Sequence, residues 1–288
     1  MRQVEKTDLG SENWTMEIRP YASAFHFPIR ELWEYRDLLL LFVRRDFKTM
    51  YKQTILGPIW ILISPLLTTG MFSIIFGRIA GISTDGTSAF LFYMAGNILW
   101  NYFSGCLSSS ANTFIGNAGL FGKVYFPRIV VPAASAVSRL ITFGAQFLLF
   151  LILLFLNPGS GQIQVTWLIV MTPVLLLMLA LLAIGTGMIL ASLTAKYRDL
   201  QVLVGFGIQL WMYASPIVYP LSQIPGRWRW LLCINPIAGI VECFRRGWLG
   251  SGMFSVSDLL IGAGIILIIL FIGTVMFNKT QRNFMDTV

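Results

Sequence analysis

RRDFKTMYKQTILGPIWILISPLL, residues 44–67, decides how this chain is built, because a basic amphipathic segment runs into an apolar one with no loop between them. Upstream, Leu32, Tyr35, Leu39, Phe42, Val43, Phe47 and Met50 recur at helical spacing from Glu31 onward, and the opposite face carries Glu34, Asp37, Arg44, Arg45, Lys48 and Lys52. Acids occupy the early turns and bases the last ones, the order a helix dipole favours. Such a helix lies along a membrane face. At Gly57-Pro58 the ladder breaks, since proline lacks an amide proton and glycine costs about 1 kcal/mol in a helix interior, so the chain turns into the bilayer there. Two uses fit the segment: a surface anchor, or a docking platform on the cytoplasmic side.

Composition supports the membrane reading. With 56% hydrophobic and 12% charged residues, the chain reads as a polytopic membrane protein rather than a soluble domain. A net charge of +8 suggests nucleic acid in a soluble protein, but here the bases cluster beside apolar spans, where anionic headgroups and membrane orientation account for them. Residues 1–30 contain Glu5, Asp8, Glu12 and Glu17 and no continuous apolar core, so they read as a cytoplasmic arm and not as a cleavable signal. Cys106, Cys233 and Cys243 are too scattered for a metal cage, and the lone His26 reads as an ordinary polar residue, so no metal site is expected. A disulfide between Cys233 and Cys243 stays open, though nothing requires one.

A helix needs about 20 apolar residues to cross the hydrocarbon core. Six stretches qualify: 56–77, 88–110, 133–156, 166–192, 200–221 and 256–277. Counting Lys and Arg by side puts fifteen with the N-terminal region, the second and fourth connections and the tail, against five on the other side. The positive-inside rule then places both termini in the cytoplasm. The fifth connection, PGRWRWLLCINPIAGIVECFRRGWLG, holds four of the outer arginines, and its apolar pieces, 230–234 and 237–244, are too short to span. Two short helices in a re-entrant external hairpin fit it, because irregular backbone at membrane depth survives only inside protein or beside water. Arg227, Arg229, Arg245 and Arg246 are expected to snorkel to the outer headgroups, or alternatively to meet an anionic ligand. Glu242 could instead pair with Arg245 or Arg246 on neighbouring turns. The expected fold is therefore an all-α membrane protein: an arm at 1–30, an amphipathic interfacial helix at 31–55, and a six-helix membrane domain at 56–288 with the hairpin between helices 5 and 6.

Chemistry is conspicuously missing. No Asp or Glu falls between Asp85 and Asp199, and no charged residue between Leu140 and Ala195. A carboxylate at a span centre costs about 2.5–3.5 kcal/mol and is usually retained for ion or proton coupling, so an ion-driven transporter is disfavoured. Gly122-Lys123 resembles the end of a phosphate loop, but Asn117 stands in place of its first glycine and Val124 in place of its magnesium-binding hydroxyl, so no ATP binds there. No carboxylate pair or nucleophile elbow supports hydrolytic or glycosyl-transfer chemistry. If energy is used, another subunit supplies it. Trp60, Trp100, Tyr102, Trp211 and Tyr213 lie near span ends, where an aromatic belt accounts for most of them and a sliding surface for sugar rings is the alternative.

Four pieces in order, residues 44–67, KVYFPRIVVP at 123–132, KYRDL at 196–200 and NPIAGIVECFRR at 235–246, resemble the permease subunit of type-2 ABC exporters, in the branch that moves lipid-linked polysaccharides such as O-antigen, capsule or teichoic acid. The resemblance runs from about residue 31 to the C-terminus. It implies a homodimer of permeases working with two nucleotide-binding subunits that hold ATP and magnesium, and a lipid-linked glycan as cargo. Arg44, Arg45, Asp46, Lys48 and Tyr51, with Asn112, Phe114, Asn117 and Leu120, take the place of the surface that meets the ATPase subunit. Lys123, Pro127 and Arg128 set the start of the third span, and Tyr197, Arg198 and Asp199 form the second cytoplasmic contact. The hairpin at Asn235-Pro236, with Glu242, Arg245 and Arg246, resembles external gate helices. A secondary transporter and a membrane-embedded enzyme acting on lipid-linked sugars are the alternatives from other classes.

Overall fold

The computed structural model describes residues 29–52, 59–124, 126–156, 165–197 and 199–283. Every regular element among them is a helix. Helices α1 (Ile29–Glu34) and α2 (Arg36–Lys52) lead into α3 (Ile59–Phe72), which continues as a π-helical turn to Ile79. Helix α4 (Ala89–Ala111) is followed by two short turns, α5 (Thr113–Gly116) and α6 (Ala118–Phe121), and then α7 (Val130–Leu156). A 3-10 turn opens α8 (Thr172–Lys196), and α9 (Leu200–Tyr213), α10 (Gly226–Cys233), α11 (Pro236–Leu249) and α12 (Val256–Asn283) complete the chain. The Gly57-Pro58 break lies outside the described residues.

Four helical stretches, Ile59–Ile79, Val130–Leu156, Trp167–Lys196 and Val256–Gln281, are long and apolar enough to cross a membrane. The other two expected spans differ from them for physical reasons. Helix α4 has 23 residues but carries Asn97, Asn101, Ser104 and Ser108 to Ser110, and it earns its central place by packing: every residue from 91 to 100 is buried. Helix α9 has only 14 residues, about 21 Å at 1.5 Å per residue against a hydrocarbon core of about 30 Å. The expected helix to 221 stops at Tyr213 because Pro216 drives the residue before it out of helical geometry. Segment 214–220 instead folds into tight turns, with the Ile217 amide donating to the Ser215 carbonyl at 2.7 Å.

Proline at 65 shows how the bundle repairs its own backbone. Pro65 deprives the Ile61 carbonyl of its helical donor, and Gln146 Nε2 of α7 donates to that oxygen at 3.3 Å instead. Asn97 of α4, itself buried, donates to the Pro65 carbonyl and to Thr69 Oγ1, each at 3.4 Å. Close helix contact elsewhere is made by glycine. A Cβ on Gly185 would stand 2.9 Å from Leu270 Cα of α12, and Cβ atoms on Gly187 and Gly273 would overlap Ser110 and the Gly185 carbonyl, so α4, α8 and α12 meet backbone to backbone.

The connections sort to two ends of the bundle. At one end Ser222 Oγ donates to Asp85 at 2.6 Å, and the Thr166 amide donates to the Gly247 carbonyl at 2.9 Å. At the other, Gln201 donates to Asn112 at 3.1 Å and Arg128 to the Gln281 carbonyl at 3.0 Å. Helix α2 belongs to this second end. Its Phe42 and Val43 are buried against the start of α7, with Phe42 and Phe126 rings 5.6 Å apart, while Arg44 and Lys48 stay exposed.

Candidate functional site

Helix α11 is set at both ends by local chemistry. Asn235 caps it, accepting from the Ile237 amide at 3.2 Å, Pro236 occupies the first turn, and Gly250 ends it in left-handed geometry at φ 72°. The helix turns Ile237, Ile240, Val241 and Phe244 into the core and, unexpectedly, Glu242 and Arg245 with them.

Arg245 is 0% exposed, so it does not snorkel, and the sequence expectation for this residue is corrected. Its Nη1 donates to the Pro216 carbonyl at 2.6 Å and to Glu242 Oε1 at 3.4 Å, and its Nη2 to the Ile217 carbonyl at 2.7 Å and the Phe92 carbonyl at 3.4 Å. The guanidinium also lies over the Phe92 ring, 3.6 Å from its centroid. The other Glu242 oxygen accepts from the Met253 amide at 2.8 Å. Burial pushes the Arg245 guanidinium down to about 10, and the Glu242 carboxylate opposes that. Space for the head group comes from Gly96, where a Cβ would stand 2.9 Å from Nη2. The pair is closed on every side, so it acts as a clasp that ties 216–217 and 253 to α4 and α11 and presents no open face to a ligand.

Beside it, Asn235 donates to Ser215 Oγ at 2.8 Å and the Ala214 carbonyl at 3.3 Å, and accepts from Trp211 Nε1 at 3.4 Å, so the cap of α11 also anchors the end of α9. These groups border a cavity of about 590 Å³ walled by Trp211, Tyr219, Trp228 and Pro236. Arg246 is exposed and donates to the Gly250 carbonyl at 2.8 Å, covering the last turn of its own helix. Arg227 is exposed beside Trp228, and Arg229 is half-buried. Of the remaining aromatics, Trp60 and Tyr213 are exposed, whereas Trp100 is buried against Phe103 and Tyr102 donates to the Ala136 carbonyl at 3.5 Å. All three cysteines are free.

At the opposite end, the positions expected to face a partner divide into a surface and its support. Arg44, Lys48, Asn112, Lys123, Tyr197 and Asp199 are exposed. Arg45 is turned back on its own helix, 2.9 Å from Asp46 and 4.5 Å from the Phe42 ring centroid. Phe114 is fully buried, with its ring 4.7 Å from Phe277, and Arg128 is buried across Phe114 and Phe121, so both build the underside of the surface rather than its face. Asn117 donates to the Thr113 carbonyl at 3.1 Å and closes the α5 turn, and Leu120 and Pro127 are half-buried. The side chain of Tyr51 and all of Arg198 lie outside the described residues.

One charged residue escaped the sorting of lysines and arginines by side: Arg139, inside α7. A lone charge within an apolar span is itself the signal that could have singled it out. Arg139 is half-buried and stands where two cavities adjoin. The first, about 500 Å³, reaches Arg45 and Asp46 of α2; the second, about 460 Å³, runs along the polar side of α4.

The family model described as ABC-2 type transporter matches residues 37–249. The O-antigen export system permease protein RfbA of Klebsiella pneumoniae is 28% identical over 251 residues, covering 87% of this chain and 94% of that protein. A protein of the same name from Myxococcus xanthus is 27% identical over 262 residues, 90% of this chain and 98% of that one. The polysialic acid transport protein KpsM of Escherichia coli is 24% identical over 242 residues, 83% of this chain and 91% of that one.

Proposed function

The chain belongs to the ABC-2 type transporter family, and we propose that it is the membrane-crossing subunit of an exporter that carries lipid-linked polysaccharide out of the cytoplasm. The observation that carries this reading is the likeness, along nearly the whole chain, to permeases named for O-antigen export and polysialic acid transport. In this reading the protein sits in the cytoplasmic membrane with both termini inside, and six helices cross it: α3, α4, α7, α8, α9 and α12. Helix α9 completes its crossing through the turns at 214–220. Helices α10 and α11 form the external hairpin, held shut over the bundle by the Arg245 clasp.

Force comes from a separate nucleotide-binding subunit, which holds ATP and magnesium, in a complex of two permeases and two ATPases. The side chains at the inner end that meet this subunit, Arg44 and Lys48 on α2, Asn112 and Lys123 beside the short turns, and Tyr197 and Asp199 before α9, come from three segments and are all exposed. Closure of the ATPase pair pushes these segments, and α2 passes the push to α7 through the buried Phe42 and Val43. ATP binding thereby biases a two-state membrane domain from outside it.

The test is a reconstituted complex of both subunits in which Arg44, Arg45 and Lys48 are replaced by Glu. ATP hydrolysis is expected to continue while glycan export falls at least tenfold. Unchanged export from a normally assembled complex would remove the docking role, and export that persists without ATP would remove the ATP-driven reading altogether.

A further inference from the structure

Among the described residues, three arginines besides Arg139 have close acceptors. Arg245 has Glu242 and three carbonyls, Arg128 has the Gln281 carbonyl, and Arg45 has Asp46. Arg139 differs. Among the described residues its one hydrogen bond is a long donation from Nη2 to Ser109 Oγ at 3.4 Å, and no carboxylate reaches it. Asp46, the acid of the adjoining cavity, is engaged by Arg45 and by Ser138 Oγ at 3.5 Å. The stem of Arg139 lies against Gly105, where a Cβ would stand 3.2 Å from Cδ and Cζ, so α4 keeps a bare position for it.

Beside Arg45, Asp46 and a few apolar side chains, most of the polar groups around the guanidinium are hydroxyls and amides. Ser104 and Ser108 of α4 and Thr142 and Gln146 of α7 line one cavity, and Ser109 and Ser135 the other. A planar fork of donors surrounded by hydroxyls in a half-buried cleft is the chemistry that holds a phosphate group, whose oxygens accept bidentately from arginine and singly from serine and threonine. Such an arrangement inside a membrane-crossing helix is kept for a ligand or a transport path, since an unanswered charge there is otherwise unfavourable.

We infer that Arg139, with Ser109, is a binding site for the phosphate or diphosphate group of a lipid-linked cargo, lying where the cavity beside α2 meets the cavity along α4. The inference rests on the export reading for the identity of the lipid, and on the geometry alone for the anion. An ordinary anionic phospholipid or free diphosphate offers the same oxygens, and the experiment separates them.

The full chain in phosphatidylcholine nanodiscs is titrated with a fluorescent polyprenyl diphosphate, and the measurement is repeated on Arg139→Gln, Arg139→Lys and Ser109→Asp. Ser109→Asp keeps the guanidinium but supplies it with an internal carboxylate, so it remains informative if Arg139→Gln fails to fold. Affinity is expected to fall at least tenfold in Arg139→Gln and Ser109→Asp and only a few-fold in Arg139→Lys, while an uncharged polyprenol binds all four chains alike. Equal diphosphate binding by the wild type and Ser109→Asp overturns the site. Displacement of the probe by equimolar phosphatidylglycerol or inorganic diphosphate overturns the assignment to the lipid-linked cargo. No glycan export by the wild-type complex would refute the export reading and leave the binding result standing, whereas full export by Ser109→Asp would refute this site and leave that reading intact.

Discussion

Arg245 Nη1 lies 2.6 Å from the carbonyl oxygen of Pro216, a residue 29 positions earlier in the chain. The contact explains why a segment too irregular to be helical can lie buried. Residues 215–218 have no neighbouring strand or continuous helix to take up their carbonyls, and a buried unpaired carbonyl costs as much as a lost hydrogen bond. A guanidinium supplies several donors from one side chain, and Glu242 balances its charge.

Removing Arg245 should therefore be far more damaging than its single position suggests. Arg245→Met leaves Glu242 buried without its cation and the Pro216 and Ile217 carbonyls without donors, and breaking a buried pair in this way costs about 3–5 kcal/mol. Glu242→Gln also breaks the pair, but it keeps an acceptor for the Met253 amide and leaves the guanidinium its three carbonyls, so it should cost less than Arg245→Met. Thermal unfolding of the purified protein, followed by exposure of its buried cysteines, checks the order. A milder effect for Arg245→Met than for Glu242→Gln would mean that the clasp does not hold the turn.

Asn235 offers a finer cut, because its carbonyl side caps α11 while its amide nitrogen ties α9. Asn235→Asp retains the cap and the Trp211 bond but loses the donations to Ser215 and Ala214; Asn235→Ala loses all of them. Loss of the cap alone is worth about 1 kcal/mol. Expected stability falls in the order wild type, Asp, Ala, and both variants should loosen the α9 end, seen as faster amide exchange at Ala214 and Ser215. Equal exchange in the Asp variant and the wild type would count against the tie.

How far the sequence revealed this arrangement depends on whether the cause was local. Helices α3, α7, α8 and α12 announce themselves by unbroken apolar length, and α11 by its Asn-Pro start and its Gly250 stop. Arg245 misled because its acceptors, Phe92, Pro216 and Ile217, are between 28 and 153 residues away, and nothing in its own neighbourhood marks it as buried. The end of α9 was legible in principle, since Ser215-Pro216 forbids helix, but apolar composition to residue 221 hid the proline. The resemblance puts Phe114 on the partner-facing surface, but its ring turns inward to meet Phe277 across the fold, a contact 163 positions away that no local pattern marks.

Glycine positions in the long helices make a third prediction with a built-in control. Gly185→Leu and Gly273→Leu force α8 and α12 apart and should destabilise by about 1–3 kcal/mol or more, since overpacking moves backbone rather than side chains. Gly264, also on α12, has nothing within 4 Å of its would-be Cβ, and Gly264→Leu should be close to neutral. Thermal scans in one detergent compare the three directly. A loss at Gly264 equal to that at Gly185 would point to helix propensity or to a contact with another chain, not to α8–α12 packing.

Cysteine accessibility gives the last prediction, and it reports on fold and orientation together. Cys106 and Cys243 are 0% exposed and should resist maleimide until the protein is denatured, whereas Cys233 is half-buried in α10 and should react in the folded state. Burial, and then the Asp258 carboxylate, push the Cys233 thiol up, so less of it is thiolate at neutral pH. Labelling should consequently start slowly and accelerate about tenfold per pH unit through the mildly alkaline range, because the rate follows the thiolate fraction below the pKa. With α10 on the outer face, a membrane-impermeant maleimide added to intact cells should label Cys233, and a Cys233→Ser variant should take up none. Labelling only after the membrane is opened would put the hairpin on the inside and reverse the orientation of every helix, and a mass change on reduction would show that Cys233 and Cys243 pair after all.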